Sequence, residues 1–443
     1  MSLVLYLVYL SCAYLRPFET LWKDVQDLRP MIVLSGLAAI AAIAKALRRG
    51  SAGVRPVYFT LLGVLLACIA LSKITNGWAG GATVAIGEFS TSAILFSITA
   101  LTVASLDDVR KTLAVLLAVT FILCLFGIAA YHTGFLADQL VLAQGVSDSE
   151  NIDESSEPVA IPALDHSGRY LWRVRSFGFL NDPNDFAQVI VVAVPLLGLL
   201  YRKGRGGRNL IAVGVPAAVF LYTIYLTHSR GAIIGLGSLL FFGLRKRLGM
   251  TRTLVLAGLL VAAMIGTNAA GGRGFSTDEE SAGGRILAWS DGLSMLRSRP
   301  LFGVGYGSFT DYHELTAHNS FVLCFSELGL IGYFAWLSLV VIAFRDVNQV
   351  AEAPEETLDA GVVTCARLLR TALTGFLTCA WFLSRTYAPP LFVLLALCGA
   401  VWSLAATRKA DGIAPPRFLL PTLGAQFATI AVVYAIVIMK HAG

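Results

Sequence analysis

Apolar runs of about 17 to 25 residues recur along the whole chain, and this one feature closes off most folds. Each run is long enough to cross the hydrocarbon core of a bilayer, where backbone amides must be satisfied within the protein. The expected fold is therefore all-α: a polytopic transmembrane helical bundle forming one integral membrane domain over 1–443. Spans are placed near 2–16, 31–47, 56–72, 83–104, 111–133, 184–201, 209–227, 231–244, 253–268, 319–343, 363–383, 391–407 and 418–439, so about twelve or thirteen cross. With 56% hydrophobic and only 14% charged residues, a soluble domain is excluded. Met1–Leu15 is apolar but lacks a basic start and a small-residue cleavage site, so it reads as the first span and not as a removable leader.

The formal net charge is +6, and its placement matters more than its size. Basic residues gather in the short connections Lys45–Arg55, Arg110–Lys111, Arg202–Arg208, Arg245–Arg252 and Arg408–Arg417, while alternate connections are poorer in them. That asymmetry is the positive-inside pattern, which predicts a cytoplasmic amino terminus and membrane lipids, not nucleic acid, as the surroundings. The two longest connections, 134–183 and 269–318, then both face outward, and the second is expected to be partly helical. The seven cysteines all lie in apolar stretches without metal-ligand spacing, so they read as packing residues. No internal repeat is visible, and so no inverted-repeat carrier is indicated.

Chemistry concentrates where loops meet spans. The first outer loop is acidic in its middle (Asp148, Glu150, Asp153, Glu154, Glu157), which reads as a solvated segment. It ends in Arg169-Tyr-Leu-Trp-Arg173-Val-Arg175, a mixture suited to a headgroup boundary, followed by the turn Asn181-Asp182-Pro183-Asn184-Asp185. Asp182 and Asp185 are the one outer pair to consider as metal ligands; no metal or other cofactor is otherwise indicated. Thr227–Gly231 is a very short outer turn in which Arg230 either snorkels or meets an anion. In the second loop, Gly271, Gly272, Gly274, Asp278, Glu279 and Glu280 precede a segment beginning near Gly284. Its Ile286, Trp289, Leu293 and Leu296 form one apolar face, with Arg285 in the first turn. Pro300 and the glycine-spaced Leu301–Ser308 then deliver the chain to His318-Asn319, where an apolar run begins. His318 is either a helix-start residue bonded to backbone or a base; Asn319 suits a cap; Glu327 is a costly buried carboxylate unless paired or wet.

Topology thus sends Arg175, Arg230, Arg285, His318 and, in the turn 384–390, Arg385 to one side. Arginine's planar fork matches phosphate oxygens, and arginines placed near the bilayer suit an anionic lipid headgroup, a diphosphate above all. A neutral histidine beside a departing diphosphate outlines glycosyl transfer from a lipid-linked sugar to an alcohol. A carrier of an anionic solute or lipid is the competing class, with Lys73 and Glu88 as its intramembrane candidates.

Arg175-Ser-Phe-Gly-Phe-Leu-Asn-Asp-Pro-Asn184, Ser229-Arg-Gly231, Gly284–Trp289, Gly303-Val-Gly-Tyr-Gly-Ser-Phe309, His318-Asn319 and Glu327–Gly332 together resemble the bacterial O-antigen ligase and polymerase superfamily. The resemblance is good over roughly 170–345 and elsewhere extends only to hydrophobic layout. It implies an inverting, metal-independent glycosyltransferase of the inner membrane acting on its periplasmic face. The donor would be an undecaprenyl-diphosphate-linked glycan and the acceptor a sugar hydroxyl of lipid A core. Arg175, Arg230 and Arg285 would bind the diphosphate and His318 would be catalytic, with Arg385, Glu327, Asn319 and Asn184 as accessory candidates. The same motifs serve repeat-unit polymerases and protein O-oligosaccharyltransferases, which differ in the attacking group.

Overall fold

The computed structural model describes residues 1–20, 27–50, 53–145, 161–166, 170–266, 280–354, 357–408 and 414–442. The acidic stretch Asp148–Glu157, Arg169, and Gly271 to Glu279 lie outside them. The fold is all-α, a polytopic helical bundle. Nine helices among the described residues are long and apolar enough to cross a membrane, and three shorter apolar ones accompany them.

In chain order the main helices are α1 (Ser2–Leu15), α2 (Pro30–Arg49), α3 (Pro56–Ile74), α4 (Gly81–Thr102) and α5 (Leu106–Thr133). They continue with α6 (Pro183–Leu196), α7 (Val215–Thr227), α8 (Arg230–Leu248), α9 (Met250–Gly266) and α10 (Glu280–Ser298). The last four are α11 (Ser320–Ala351), α12 (Ala360–Ala380), α13 (Pro389–Arg408) and α14 (Leu419–Ala442). Proline opens α2, α3 and α6, where its missing N–H would have been unpaired anyway. Helix α5 starts five residues before the expected span because Ser105 caps it, accepting from the Asp108 amide at 3.1 Å. Arg110 and Lys111 therefore sit on a helix and not in a loop.

The helix ends sort into two faces. At one, Arg55 pairs with Asp346 at 2.5 Å and lies over the Trp402 ring, while Lys45 Nζ reaches Asp108 at 3.0 Å. The other collects the end of α3, the starts of α6, α11 and α13, and an antiparallel ribbon of β1 (Val141–Gly145) and β2 (Tyr170–Val174). The ribbon is an addition to the all-helical expectation. It pairs Val141 with Val174 and Gly145 with Tyr170, closing the base of the first large loop.

Helices α11 and α13 are the most enclosed, and α2 and α14 the least. The span expected as continuous over 319–343 is interrupted: Gly329 adopts φ 65°, ψ −169°, and splits α11 into two half-helices. The break lies about 14 Å below the start of α11, near mid-bilayer depth. Its exposed backbone is taken up by the glycine loop. Val304 and Gly305 amides donate to the Ser326 and Glu327 carbonyls at 3.0 Å, and the Leu330 amide donates to Pro300 O at 2.8 Å. Gln426 of α14 donates to Leu330 O at 3.0 Å. An apolar environment makes each such bond obligatory, since an unmet backbone group there costs several kcal/mol.

The two chains meet at glycines. A Cβ on Gly329 would stand 2.4 Å from the Leu301 carbonyl carbon, and one on Gly303 would stand 2.3 Å from that of Glu327. Gly329→Ala is therefore expected to lower thermal stability by several kcal/mol, from the left-handed φ and the backbone clash together. Gly36→Ala, facing open space on α2, should melt as wild type. Detergent-solubilised protein followed by thermal unfolding decides this, and equal melting of the Gly329 variant and wild type would refute the interlock.

Candidate active site

His318 occupies the residue between the loop and α11, half-buried, with φ 47°. A left-handed backbone is unfavourable for a residue with a Cβ, and such positions are held only when their surroundings fix them. Here the surroundings do. Asn319 caps α11, its Oδ1 accepting from Phe321 N at 2.9 Å and Val322 N at 3.1 Å. Before it, Trp289 Nε1 donates to Ala317 O at 2.9 Å, and the Thr316 hydroxyl donates to that of Ser384 at 2.8 Å. Asn319 is fully buried and its amide nitrogen lacks a partner among the described residues.

Helix α10 supplies Arg285. It begins at Glu280, ahead of the expected start, so Arg285 stands in its second turn and not its first. Its apolar side packs on α11: Trp289 and Leu296 are buried, and Ser326 Oγ donates to Gly292 O at 3.1 Å. A Cβ at Gly292 would meet Val322 at 2.6 Å, so the contact needs that glycine.

Burial lowers the His318 pKa from its ordinary 6.5, the Arg285 guanidinium lowers it further, and Asp182 opposes both. His313, itself bonded through Nδ1 to Asp291 Oδ2 at 2.8 Å, adds a smaller downward push. His318 is thus held neutral at pH 7 between a cation and a carboxylate.

The start of α6 organises the rest. Asp182 caps it, accepting from Asn184 N at 2.8 Å, and the buried Asp185 forms an ion pair with Arg385. Asn184 Oδ1 accepts from Arg173 Nη2 at 3.0 Å, while Arg173 Nε donates to Thr227 O at 3.0 Å. Arg385 N also donates to Ser320 Oγ at 2.9 Å, tying its turn to the first residue of α11. Arg230 is the first residue of α8; the adjoining Gly231 lies against Phe382, three residues before Arg385.

Arg285, Asp182 and His318 are therefore brought together; Asn184 and Arg230 lie at the starts of α6 and α8, and Arg385 in the turn before α13. Two candidates are placed elsewhere. Arg175 is held to the helical turn Ala137–Leu140 just before β1, its Nε donating to Gln139 O at 3.0 Å and its Nη2 to Asp138 O at 3.3 Å. Glu327 is 2% exposed and turned beneath the glycine loop, where Oε1 accepts from Phe309 N at 3.4 Å. Its electrostatic neighbours are Tyr387 and Lys73, not His318. Asp182 and Asp185, considered as a metal pair, are engaged in a cap and an ion pair. Arg173, 6% exposed, is the residue the sequence reading passed over as a site member. Only its pairing in β2 turns it inward, and nothing in the run Arg169–Arg175 distinguishes it from its neighbours.

A cavity of about 720 Å³ opens at the opposite face, lined by Pro195, Phe242, Glu352, Arg367 and Arg370 among others, away from this cluster.

Residues 215–337, from the start of α7 into the second half of α11, match the family model described as O-antigen ligase. Over that segment the chain is similar to the O-antigen ligase family. That match and the nine apolar helices together mark a multi-pass membrane protein. No curated protein matches the chain. The O-antigen ligase match contains Arg230, Arg285, His318, Asn319 and Glu327; Arg173, Arg175, Asn184 and Arg385 lie outside it.

Replacing Arg285 by Gln removes one of the charges that disfavour the imidazolium. The sign is fixed by that loss: His318 should half-protonate at a higher pH than in wild type, so neutral imidazole persists over a narrower range on the acid side. Histidine-selective NMR titration reads this without turnover; an unchanged or lowered midpoint would separate the two residues.

Proposed function

We propose that the chain is a member of the O-antigen ligase and polymerase superfamily, and that it transfers an undecaprenyl-diphosphate-linked glycan to a sugar hydroxyl of lipid A core at the periplasmic face of the inner membrane. The observation that carries the reading is His318, kept neutral and half-buried, with Arg285 and Asp182 acting on the same ring. The neutral ring nitrogen takes the acceptor O–H proton as that oxygen attacks the anomeric carbon. The anomeric C–O bond to the diphosphate breaks, and its electron pair leaves with the diphosphate. A single displacement of this kind inverts the anomeric centre and draws on no metal or cofactor.

The charges on either side suit those two movements. Arg285 and Arg230, with Arg385 where Asp185 leaves it donors to spare, face the growing negative charge of the diphosphate. Asp182 stabilises the imidazolium formed on proton transfer. Asn319 offers a buried amide donor at the base of the site. Arg175, bonded to the backbone of the turn before β1, acts at the rim, and Arg173 holds the frame.

A carrier would use an interrupted helix to present free carbonyls to its cargo. Here the Ser326, Glu327 and Leu330 carbonyls at the break are already accepting bonds, which favours an enzyme.

Reconstitution with a polyprenyl-diphosphate oligosaccharide tests the assignment. His318→Ala should lower kcat by about 10²–10⁴ while donor binding persists. Arg230→Lys should weaken donor binding, since an ammonium cannot reproduce a bidentate guanidinium contact. Product on O-antigen-free lipopolysaccharide marks a ligase, and a lengthened polyprenyl product marks a polymerase. Near-normal transfer by the His318 variant would discard the mechanism.

A further inference from the structure

The mechanism leaves Glu88 unused at membrane depth. Glu88 is exposed on α4, about 10 Å below the start of that helix. A carboxylate open to hydrocarbon there is costly, so charged residues at such depth face a wet cavity or a polar ligand. Glu88 faces the tip of the glycine loop: a Cβ on the exposed Gly307 would lie 3.9 Å from its Oε2.

The rest of the surround is polar and already fixed. Lys73, at the end of α3, donates from Nζ to Ser308 Oγ at 2.9 Å and lies 5.1 Å from the Trp78 ring centroid. Trp78 is 53% exposed yet seated, for a Cβ on Gly81 would stand 2.3 Å from its ring. The loop between them has spent its amides inward. Gly305 N donates to Glu327 O, Tyr306 N to Ser72 Oγ at 3.0 Å, Ser308 N to Gly305 O, and Phe309 N to Glu327 Oε1. Despite its three positive-φ glycines, the loop is therefore no phosphate cradle. What it offers here is the Ser308 hydroxyl, beside a carboxylate, an ammonium and an indole.

That set of groups suits a sugar. Carboxylate and serine oxygens accept from hydroxyls, an ammonium donates to them, and an indole covers the apolar face of a pyranose. A diphosphate would be repelled by Glu88. We infer that the cluster of Trp78, Lys73, Glu88 and Gly307–Ser308 is a subsite for a sugar of the membrane-anchored acceptor, separate from the arginine-lined donor site. The inference rests on the glycosyltransferase reading. It assigns the two substrates to different sides of the glycine loop, donor toward α6 and α10, acceptor toward α3 and α4.

The test uses full-length protein in nanodiscs, with a polyprenyl-diphosphate oligosaccharide as donor. The acceptor is whichever the wild type uses of O-antigen-free lipopolysaccharide and a second donor molecule. Glu88→Ala and Trp78→Ala should each raise the acceptor KM about tenfold, as loss of one charge-assisted bond or one ring contact implies, with kcat and donor Kd unchanged. Glu88→Gln and Trp78→Phe should recover part of the loss, which a folding defect would not. Wild-type transfer with an unaltered acceptor KM in both alanine variants overturns the subsite and leaves the glycosyltransferase reading intact. Weakened donor binding in place of a changed acceptor KM overturns it equally. If the wild type transfers to neither acceptor, the reading and the subsite fall together.

Discussion

The interlock between the broken helix α11 and the glycine loop is the constraint on which the rest depends. Backbone amides in a bilayer cannot fall back on water, so a helix interrupted at Gly329 survives only if another strand of chain meets its groups. The Pro300–Gly305 segment does so, and it can approach closely enough because glycine stands on both sides, at 303 and 329. With that segment fixed, the chain beyond it is fixed too. Phe309 is held from below by Glu327, and the backbone then climbs to the strained position of His318.

A second set of interactions, at the start of α6, converts this rigidity into a site. Arg173, Asn184, Asp185 and Arg385 come from a strand, a helix and a turn far apart in sequence, and each is bonded to another of the set. The carboxylate and the amide offset two guanidinium groups that would otherwise repel. They leave Arg285 as the cation acting most strongly on His318. The histidine is kept neutral by that cation and by burial, and kept beside a carboxylate by the cap of α6. In the proposed mechanism, proton acceptance and anion binding thus draw on one charge arrangement.

Much of the fold was legible in the sequence because its cause is local. Runs of apolar residues, prolines at helix starts and basic connections each act within a turn or a loop, and they gave helices close to those observed. The errors have equally local reasons. Ser105 sets the start of α5, since a helix begins where its first amides find acceptors. The break in α11 was missed because hydropathy registers only that Leu328-Gly329-Leu330 is apolar. Among the candidate site residues, the placement of Arg285 and His318 near helix entrances is legible in the sequence, because helix starts are local. Arg173 and the placement of Glu327 under the loop are not, since each depends on which partner lies across the fold.

The sequence by itself determined that the chain crosses a membrane many times, which face carries the arginines, and that a histidine opens α11. Hydrophobicity and charge act one residue at a time, and those conclusions need nothing more. Only the tertiary structure decided which arginines meet the histidine, that the glycine loop turns its amides inward, and that Glu88 looks onto its tip. Those are outcomes of competition among donors and acceptors for partners, and the winners are set by distances that no single stretch of sequence contains.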